Sequence, residues 1–193
     1  MAYKLILASA SPRRQQLMRE AGFTFEVRIK EVPEIYPDDL PVNQVPEYLA
    51  RLKASAFQHE LQPDELLITA DTIVSIHNKA VGKPGNRQAA IEMLRELSGN
   101  RHTVVSGLCL TTSHIQKTTS VCTDVFFREL TEEEIIYYVD KYRPLDKAGA
   151  YGIQEWIGYV GIERIDGSFY NVMGLPIQTL YRQLQEFGVD LCK

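Results

Sequence analysis

The first fourteen residues constrain the fold of this chain more than any other segment. Leu5-Ile6-Leu7-Ala8 is a short apolar run typical of a buried strand, and small residues connect it to Ser11-Pro12. Serine is a favoured N-cap, and proline suits the first helical position because its missing N–H would have no partner there. The segment therefore predicts a strand, a short loop and the start of a helix.

Two arginines, Arg13 and Arg14, fall in the first turn of that predicted helix. Cations are disfavoured near the positive end of the helix dipole, so this placement calls for a compensating anion. A helix N-terminus with two arginines is a plausible phosphate cradle. A solvated arginine pair on an amphipathic helix is the alternative, and the segment alone fits both equally well.

The length and composition favour a globular α/β protein. A chain of 193 residues can form one sizeable domain or two small lobes that share a cleft. Its hydrophobic share of 45% and charged share of 24% exclude disordered and fibrous classes. The formal net charge of -4 argues against general electrostatic binding to nucleic acid, which needs a basic surface.

The cysteines and the apolar runs predict a cytoplasmic location. Cys109, Cys122 and Cys192 are odd in number and widely spaced, which favours buried or free thiols over a disulfide framework or a zinc site. No apolar run approaches the length that spans a membrane. No signal-peptide pattern follows Lys4.

Hydrophobic periodicity and turn residues predict long strands with flanking helices. The predicted helices cover residues 13–21, 45–61, 86–97 and 131–142, with a last one from Pro176 to Gly188. Asn86 is a predicted cap, Thr131 with Glu134 forms a predicted capping box, and His77-Asn78-Lys79 is a predicted turn. The predicted strands cover residues 23–29, 66–76, 103–110, 118–127 and 159–165. Together with the N-terminal strand, these elements indicate a two-lobed α/β architecture.

Three polar residues are candidates for a functional site because of their neighbours in the sequence. Asp71 interrupts an otherwise apolar strand, where a carboxylate must be paired, hydrogen-bonded or bound to metal, in a structural or a functional role. Glu34 lies on a proline-rich loop and is a candidate second metal ligand, although alone it would be a surface carboxylate. Lys83, between Gly82 and Pro84, offers an ammonium group at a defined place.

The segment Gly149-Ala150-Tyr151-Gly152-Ile153-Gln154 is a tight loop with an aromatic ring and an amide. Such a loop can lie against a flat ligand, with Gln154 offering one donor and one acceptor group. A packing loop whose glycines only serve turn geometry is the alternative. The four histidines show no spacing of metal ligands and are interpreted as surface or structural: His59, His77, His102 and His114.

Taken together, the motifs resemble the Maf family of nucleoside triphosphate pyrophosphatases. The similarity runs nearly from end to end and rests on these residues: Leu7-Ala8-Ser9-Ala10-Ser11-Pro12-Arg13-Arg14, Glu34, Lys53-Ala54, Ala70-Asp71-Thr72, Gly82-Lys83-Pro84, Leu97-Ser98-Gly99, Asp146-Lys147-Ala148-Gly149-Ala150-Tyr151-Gly152-Ile153-Gln154 and Gly174-Leu175-Pro176. Several separated motifs in the right order are far more specific than any one of them.

The resemblance implies an α/β fold like that of the inosine triphosphate pyrophosphatases, with residues 1–193 forming a single domain whose two lobes enclose a cleft around a long, curved mixed sheet. It implies a divalent metal, Mg²⁺ or Mn²⁺, and hydrolysis of the substrate to a nucleoside monophosphate and pyrophosphate. It also implies a homodimer. The version of the Gln154 loop found here resembles the branch that acts on dTTP and UTP.

The resemblance also implies roles for individual residues. Asp71 matches the catalytic acidic residue, and Lys53 and Lys83 join it in the catalytic set. Glu34 and Asp71 would hold the metal, since hard oxygen ligands suit Mg²⁺. The substrate would be bound by Ser9, Arg13, Arg14, Thr72 and Gln154.

Two departures from the family pattern bear on the site. Pro33 precedes Glu34 where many relatives have an acidic residue, so a second carboxylate on that loop would have to come from elsewhere. Glu155-Trp156 follows Gln154 where a small residue is common, and this bulk is expected to reshape the base pocket.

We therefore expect a cytoplasmic, metal-dependent dTTP/UTP pyrophosphatase that removes unwanted nucleotides. A relative with another base preference, such as 7-methyl-GTP or a modified pyrimidine triphosphate, is one alternative. A nucleotide-responsive regulator of septum formation is another, and a phosphate-binding domain without turnover is a third. Asp71, Lys53, Lys83 and Glu34 together favour an enzyme, because a pure sensor has no need to position water.

Overall fold

The computed structural model describes residues 3–191, and within this range the strands number seven. They are β1 (Lys4–Leu7), β2 (Phe25–Val27), β3 (Glu65–Ile76), β4 (Lys79–Val81), β5 (Arg101–Thr111), β6 (Gln116–Phe127) and β7 (Ile162–Asp166). The α-helices of the same range are α1 (Pro12–Glu20), α2 (Val45–Ser55), α3 (Arg87–Leu97), α4 (Glu132–Tyr142), α5 (Trp156–Gly161), α6 (Phe169–Val172) and α7 (Ile177–Glu186). Short 3₁₀ turns cover Val42–Gln44 and Ala148–Ala150.

The strands form one mixed sheet in the order β2-β1-β3-β5-β6-β7, and β4 pairs with β3 outside this sequence of neighbours. β1 is parallel to both β2 and β3, with Leu5 opposite Phe25 on one side and Leu66 on the other. β4 is antiparallel to β3, and β7 is antiparallel to β6. A mixed sheet flanked by helices confirms the predicted α/β class.

The chain divides into two compact units. The first unit comprises Met1–Asp71, Ser106–Val121 and Gly174–Lys193, and the second comprises Thr72–Val105 and Cys122–Met173. Each unit is therefore built from stretches that are far apart in the sequence, because β3, β5 and β6 each contribute residues to both.

The core of the first unit fixes α2 against the sheet. A cluster of fully buried side chains joins this helix and the residues after it to β1, β3 and β5: Ile6, Ala50, Ala54, Phe57, Leu67 and Cys109. Gly107 permits the close approach, since a Cβ at this position would lie 2.2 Å from the backbone of Pro46. The position of α2 relative to β3 is therefore set by packing that tolerates little change.

The second unit contains the elements with the clearest local signals. Thr131 and Glu134 form the predicted capping box at the start of α4, and the side chain of Asn86 caps α3 as expected. His77 and Asn78 both have positive φ, which suits the tight turn predicted between β3 and β4. Helix α3 packs against α4 and against the 3₁₀ turn at Ala148–Ala150.

One predicted helix and one predicted strand are clearly shorter in the structure. The helix predicted to reach residue 61 ends at Ser55, where bonds such as Phe57 N–H to the Ala54 carbonyl (3.0 Å) continue the chain as turns. The strand predicted over 23–29 is reduced to Phe25–Val27, because its partner β1 ends at Leu7 and has no further residues with which the strand could pair. In both cases an apolar pattern extends beyond the regular backbone.

The strand predicted over 159–165 is wrong in its first half. Residues up to Gly161 belong to α5, and β7 begins at Ile162. The Glu155 carbonyl accepts from the Gly158 N–H at 2.9 Å and from the Tyr159 N–H at 3.3 Å, so the backbone closes helical turns here.

The cysteines and histidines largely follow their interpretation from the sequence. Cys109 is buried and Cys122 exposed, and both are free thiols, while Cys192 lies outside the described residues. His102 is fully buried, whereas the other histidines are exposed: His59, His77 and His114. Across residues 3–191, no helix is both long enough and apolar enough to span a bilayer.

Candidate functional site

A lysine ammonium between two carboxylates forms the centre of the candidate site in the first unit. The Nζ atom of Lys53 lies 2.5 Å from Oδ1 of Asp71 and 2.7 Å from Oε1 of Glu34. Asp71 is buried within β3, Lys53 is largely buried on α2, and Glu34 is exposed on the proline-rich loop. These three residues were predicted as site residues separately, and the structure brings them together.

The fold of the first unit places Lys53 beside Asp71. The side-chain hydroxyl of Thr69, two residues before Asp71 on β3, donates to the Ala50 carbonyl on α2 at 2.7 Å. Ala54 packs into the buried cluster next to Lys53. Because the hydrogen bond and the packing fix the helix against the strand, the lysine has one defined position rather than the solvated one that is common on helices.

Burial dominates the electrostatics of Asp71. Only 7% of this residue is exposed, and removal from water raises the pKa of its carboxyl group above the usual value. The positive charges of Lys53 and Arg14 lower the pKa of Asp71, while the nearby Glu34 raises it. The resulting pKa stays raised, and a carboxylate of this kind is a better proton acceptor than one in water.

Arg14 is tied to the backbone of the first unit. Its Nε donates to the Gly174 carbonyl at 2.7 Å, and its Nη1 donates to the Ala70 carbonyl at 2.8 Å. Nη1 also lies 3.5 Å from the hydroxyl of Ser9. Arg14 therefore fixes the start of α1 against the residue that precedes Asp71, so for this arginine the solvated alternative is excluded.

The predicted cap at the start of α1 uses different atoms. Ser11 is the N-cap residue, but its side chain makes no capping hydrogen bond. The Ser9 hydroxyl instead accepts from the Ser11 N–H at 3.3 Å, and the Ser9 carbonyl accepts from the Gln15 side chain at 3.1 Å. Arg13 is half-buried in the first helical turn, next to this small-residue loop.

The remaining candidate residues lie in the second unit. Thr72 is half-buried on β3, directly after Asp71 in the chain, and Lys83 is exposed between Gly82 and the buried Pro84. The Gly82 carbonyl accepts from the Gly149 N–H at 3.1 Å. This bond joins the loop that contains Lys83 to the loop that leads to Gln154.

The loop that leads to Gln154 is close-packed and strained. Gly149 has a φ of 69°, and a Cβ there would lie 3.0 Å from the side chain of Val74 on β3. Ala150, which is buried, has a φ of 56°, a left-handed conformation that costs a residue with a Cβ roughly 1–2 kcal/mol. Such strain persists only where the surrounding structure imposes it, and it is often found at ligand sites.

The amide oxygen of Gln154 is a buried acceptor with no hydrogen-bond partner among residues 3–191. Buried polar atoms are nearly always paired in folded proteins, so an unpaired one needs an explanation. Binding of a ligand N–H would provide it. The Gln154 backbone carbonyl is itself held, because the Tyr159 hydroxyl donates to it at 2.5 Å.

Glu155 has two side-chain partners that are not evident in the sequence. Its carboxylate accepts a short hydrogen bond from the Tyr138 hydroxyl and lies 3.2 Å from Nζ of Lys147. Lys147 belongs to one of the family motifs quoted above, whereas no motif in the sequence includes Tyr138. Trp156, the other bulky residue after Gln154, packs its ring edge-on against Tyr137 at 5.0 Å.

The carboxylates of Asp71 and Glu34 are hard oxygen ligands that could contribute to holding a divalent cation. Within the described part of the chain, no group of three or more histidine, cysteine, aspartate or glutamate side chains is arranged to hold a metal. Mg²⁺ is commonly bound through one or two carboxylates, with phosphate oxygens and water as the other ligands. The two carboxylates already converge on one cationic group, the Lys53 ammonium.

Comparison with known proteins gives a consistent result over nearly the whole chain. A family model described as "Maf-like protein" matches residues 4–187. A protein of Bacteroides thetaiotaomicron named dTTP/UTP pyrophosphatase is 57% identical over 185 residues, which cover 95% of this chain and 96% of the relative. A protein of Bacteroides fragilis with the same name is also 57% identical, with the same coverage.

Among solved structures, a HAM1 protein from Coxiella burnetii is similar in fold. It has a TM-score of 0.50 and 15% sequence identity, and the match covers 95% of this chain and 99% of that protein. At this identity the likeness concerns the fold alone, and it agrees with the mixed sheet and flanking helices described above.

Proposed function

The chain belongs to the Maf family, and from this premise we propose that it hydrolyses nucleoside triphosphates, dTTP and UTP above all, to the monophosphate and pyrophosphate. The contact of Lys53 with both Asp71 and Glu34 is the observation that best supports this proposal. A buried carboxylate with a raised pKa, a fixed ammonium group and a second carboxylate suit hydrolysis of a phosphoanhydride bond.

In this mechanism Asp71 is the general base. It accepts a proton from the attacking water, whose oxygen forms a bond to the α-phosphorus while the bond to the bridging oxygen of the β-phosphate breaks. Pyrophosphate leaves with the electron pair of that bond. Lys53 holds the Asp71 carboxylate in place through the 2.5 Å contact and partly offsets the cost of its burial.

A divalent cation would be held by Asp71 and Glu34 together with phosphate oxygens of the substrate. When bound, it supplies charge neutralisation at the phosphoryl group. Arg13 and Lys83 are assigned to phosphate oxygens, because each presents a cation on a loop or helix start. Arg14 and Ser9 are assigned to the segment that carries Arg13. Arg14 holds this segment in place, because its side chain donates to the Ala70 and Gly174 carbonyls.

Gln154 is assigned to the base, with Thr72 as a further substrate contact. Uracil and thymine present a ring N–H beside a carbonyl, and the amide oxygen of Gln154, which has no partner among residues 3–191, is an acceptor for such an N–H. The amide nitrogen can donate to the neighbouring carbonyl. Cytosine lacks this ring N–H, so the assignment favours dTTP and UTP over dCTP. A cytoplasmic location and a homodimeric state remain predictions.

The decisive experiment incubates the protein with Mg²⁺ or Mn²⁺ and a panel of dTTP, UTP, dCTP, GTP and 7-methyl-GTP, then separates the products by ion exchange. Equal amounts of monophosphate and pyrophosphate are expected, fastest from dTTP or UTP. Release of orthophosphate would refute the proposed bond cleavage. Preference for 7-methyl-GTP would refute the assignment to the pyrimidine branch, and binding without turnover would favour a sensor.

Substitution of Gln154 tests the assignment to the base. A glutamate at this position can only accept hydrogen bonds, so Gln154→Glu should lower kcat/KM for dTTP by about tenfold, because one donor bond to the base is lost. Gln88→Glu, on the exposed surface of α3, is the matched control and should leave the profile unchanged. An unaltered substrate profile in Gln154→Glu would contradict the assignment.

A further inference from the structure

The residue after Gln154 belongs to a buried polar network that the proposed mechanism does not use. The Glu155 carboxylate accepts a hydrogen bond from the Tyr138 hydroxyl and is ion-paired with Lys147 at 3.2 Å. Tyr138 is fully buried on α4, and Lys147 is 8% exposed. Three polar side chains, from α4, the loop after it and the start of α5, therefore meet around the Glu155 carboxylate.

This network holds the backbone on the N-terminal side of Gln154. The Tyr138 hydroxyl, besides donating to Glu155, accepts from the Gly152 N–H at 3.0 Å. The Gly152 carbonyl accepts from the Glu155 N–H at 3.0 Å. A Cβ at Gly152 would lie 2.8 Å from the Glu155 carboxyl carbon, so the glycine allows this carboxyl group to lie close to the backbone. Gly152 and Glu155 are thus fixed to each other and to Tyr138.

Gln154 lies between these two fixed residues, and its own backbone carbonyl accepts from the Tyr159 hydroxyl. Its amide oxygen is the buried acceptor without a partner among the described residues. A fixed backbone keeps this acceptor at the position where it can bind a ligand N–H. A base without an N–H at that position is then bound less well, because the acceptor cannot shift to another partner.

We propose that Tyr138, Glu155 and Lys147 are positioning residues that hold Gln154 in the orientation required to recognise the base. The inference rests on the proposed function. None of the three residues is assigned to contact the substrate. The network acts through the backbone of Gly152–Glu155, and its loss affects the choice of base more than the cleavage of the phosphoanhydride bond.

The test measures kcat/KM for dTTP and dCTP in wild type and in Tyr138→Phe. The variant keeps the ring that stacks on Tyr142 and removes both hydrogen bonds of the hydroxyl. The ratio of the dTTP value to the dCTP value should fall about tenfold, mainly through a higher KM for dTTP, because the loss of one bond to a charged group is of this order. Tyr170→Phe, at an exposed position, is the matched control.

A pair of substitutions at Glu155 gives an independent readout. Glu155→Gln keeps an acceptor for the Tyr138 hydroxyl and should retain most of the selectivity, whereas Glu155→Ala removes the acceptor and should lose it. Because Glu155 is not fully buried, this pair decides the question even if Tyr138→Phe fails to fold, as judged by circular dichroism.

The outcomes separate the two proposals. Absence of pyrophosphate release from any nucleotide by the wild-type protein overturns the proposed function, and with it this inference. An active wild-type protein whose folded Tyr138→Phe and Glu155→Ala variants keep the wild-type ratio overturns the inference alone. Equal losses for dTTP and dCTP also overturn it, because they indicate general destabilisation of the site.

Discussion

Acidification is expected to destabilise the second unit through His102. This side chain is 1% exposed, and its Nε2 atom lies 2.8 Å from the Tyr151 hydroxyl. Its ring packs edge-on against Phe127 and Tyr151, with centroids 5.3 Å and 5.4 Å away. Burial lowers the pKa of His102 from 6.5 to about 4, an effect that the carboxylate of Asp124 only partly offsets.

The sign and size of the effect follow from this pKa shift. Above pH 6.5 the imidazole is neutral in both folded and unfolded chains, so the full stability is present. Between pH 6.5 and about 4 only the unfolded chain binds the proton, and the free energy of unfolding falls by about 1.4 kcal/mol per pH unit. The loss amounts to about 3 kcal/mol at pH 4, where half of the folded chains also carry the proton, and the decline levels off below that pH.

Urea unfolding at several pH values between 7 and 4 measures this loss. His102→Gln cannot gain a proton and keeps a side-chain amide that can hydrogen-bond to the Tyr151 hydroxyl, so its stability should decline with a slope that is smaller by about 1.4 kcal/mol per pH unit. The lost ring packing lowers the free energy of unfolding of His102→Gln by the same amount at every pH, so it does not change the slope. His114→Gln, at an exposed position, should follow the wild-type slope. Equal slopes for wild type and His102→Gln would refute the reasoning.

Two further predictions concern the candidate site. Because burial raises the pKa of Asp71, the folded protein loses stability as the pH rises through that pKa. The variant Asp71→Asn has no charge to bury, so at pH 8 it should melt at a temperature equal to or higher than that of wild type. A melting temperature of Asp71→Asn below that of wild type would contradict the burial argument. The turnover of Asp71→Asn should fall by about 100-fold or more. The matched control Asp140→Asn, at an exposed position, should remain active. Lys53 lowers the pKa of Asp71, so Lys53→Gln should move the acidic limb of the pH–rate profile to higher pH, and an unmoved limb would mean that another group is titrated.

Elements with strong local signals were predicted well from the sequence. The strand Lys4–Leu7, the helix that begins at Pro12 and the capping box at Thr131 all agree with the structure. Each of these signals lies within a few residues: a short apolar run, a proline at the first helical position, and a capping box. Local chemistry of this kind needs no knowledge of distant parts of the chain.

Boundaries that depend on partners were predicted less well. The apolar spacing after Ser55 continues through Phe57, which is buried in the core of the first unit although the helix has ended. Burial alone produces this spacing, so it cannot distinguish a helix from consecutive turns. The second strand ends at Val27 because β1 ends at Leu7, and the length of a partner strand is not visible in the segment itself.

The candidate residues can be identified in the sequence, because Asp71 stands inside an apolar strand and recognisable motifs surround Lys53, Lys83 and Gln154. Which of these residues meet depends on how the chain packs. The tertiary structure places Lys53 between Asp71 and Glu34, turns Arg14 towards two backbone carbonyls, and joins Glu155 to Tyr138 and Lys147. These contacts join residues from different helices, strands and loops, and the packing of these elements, rather than any local pattern, sets their distances.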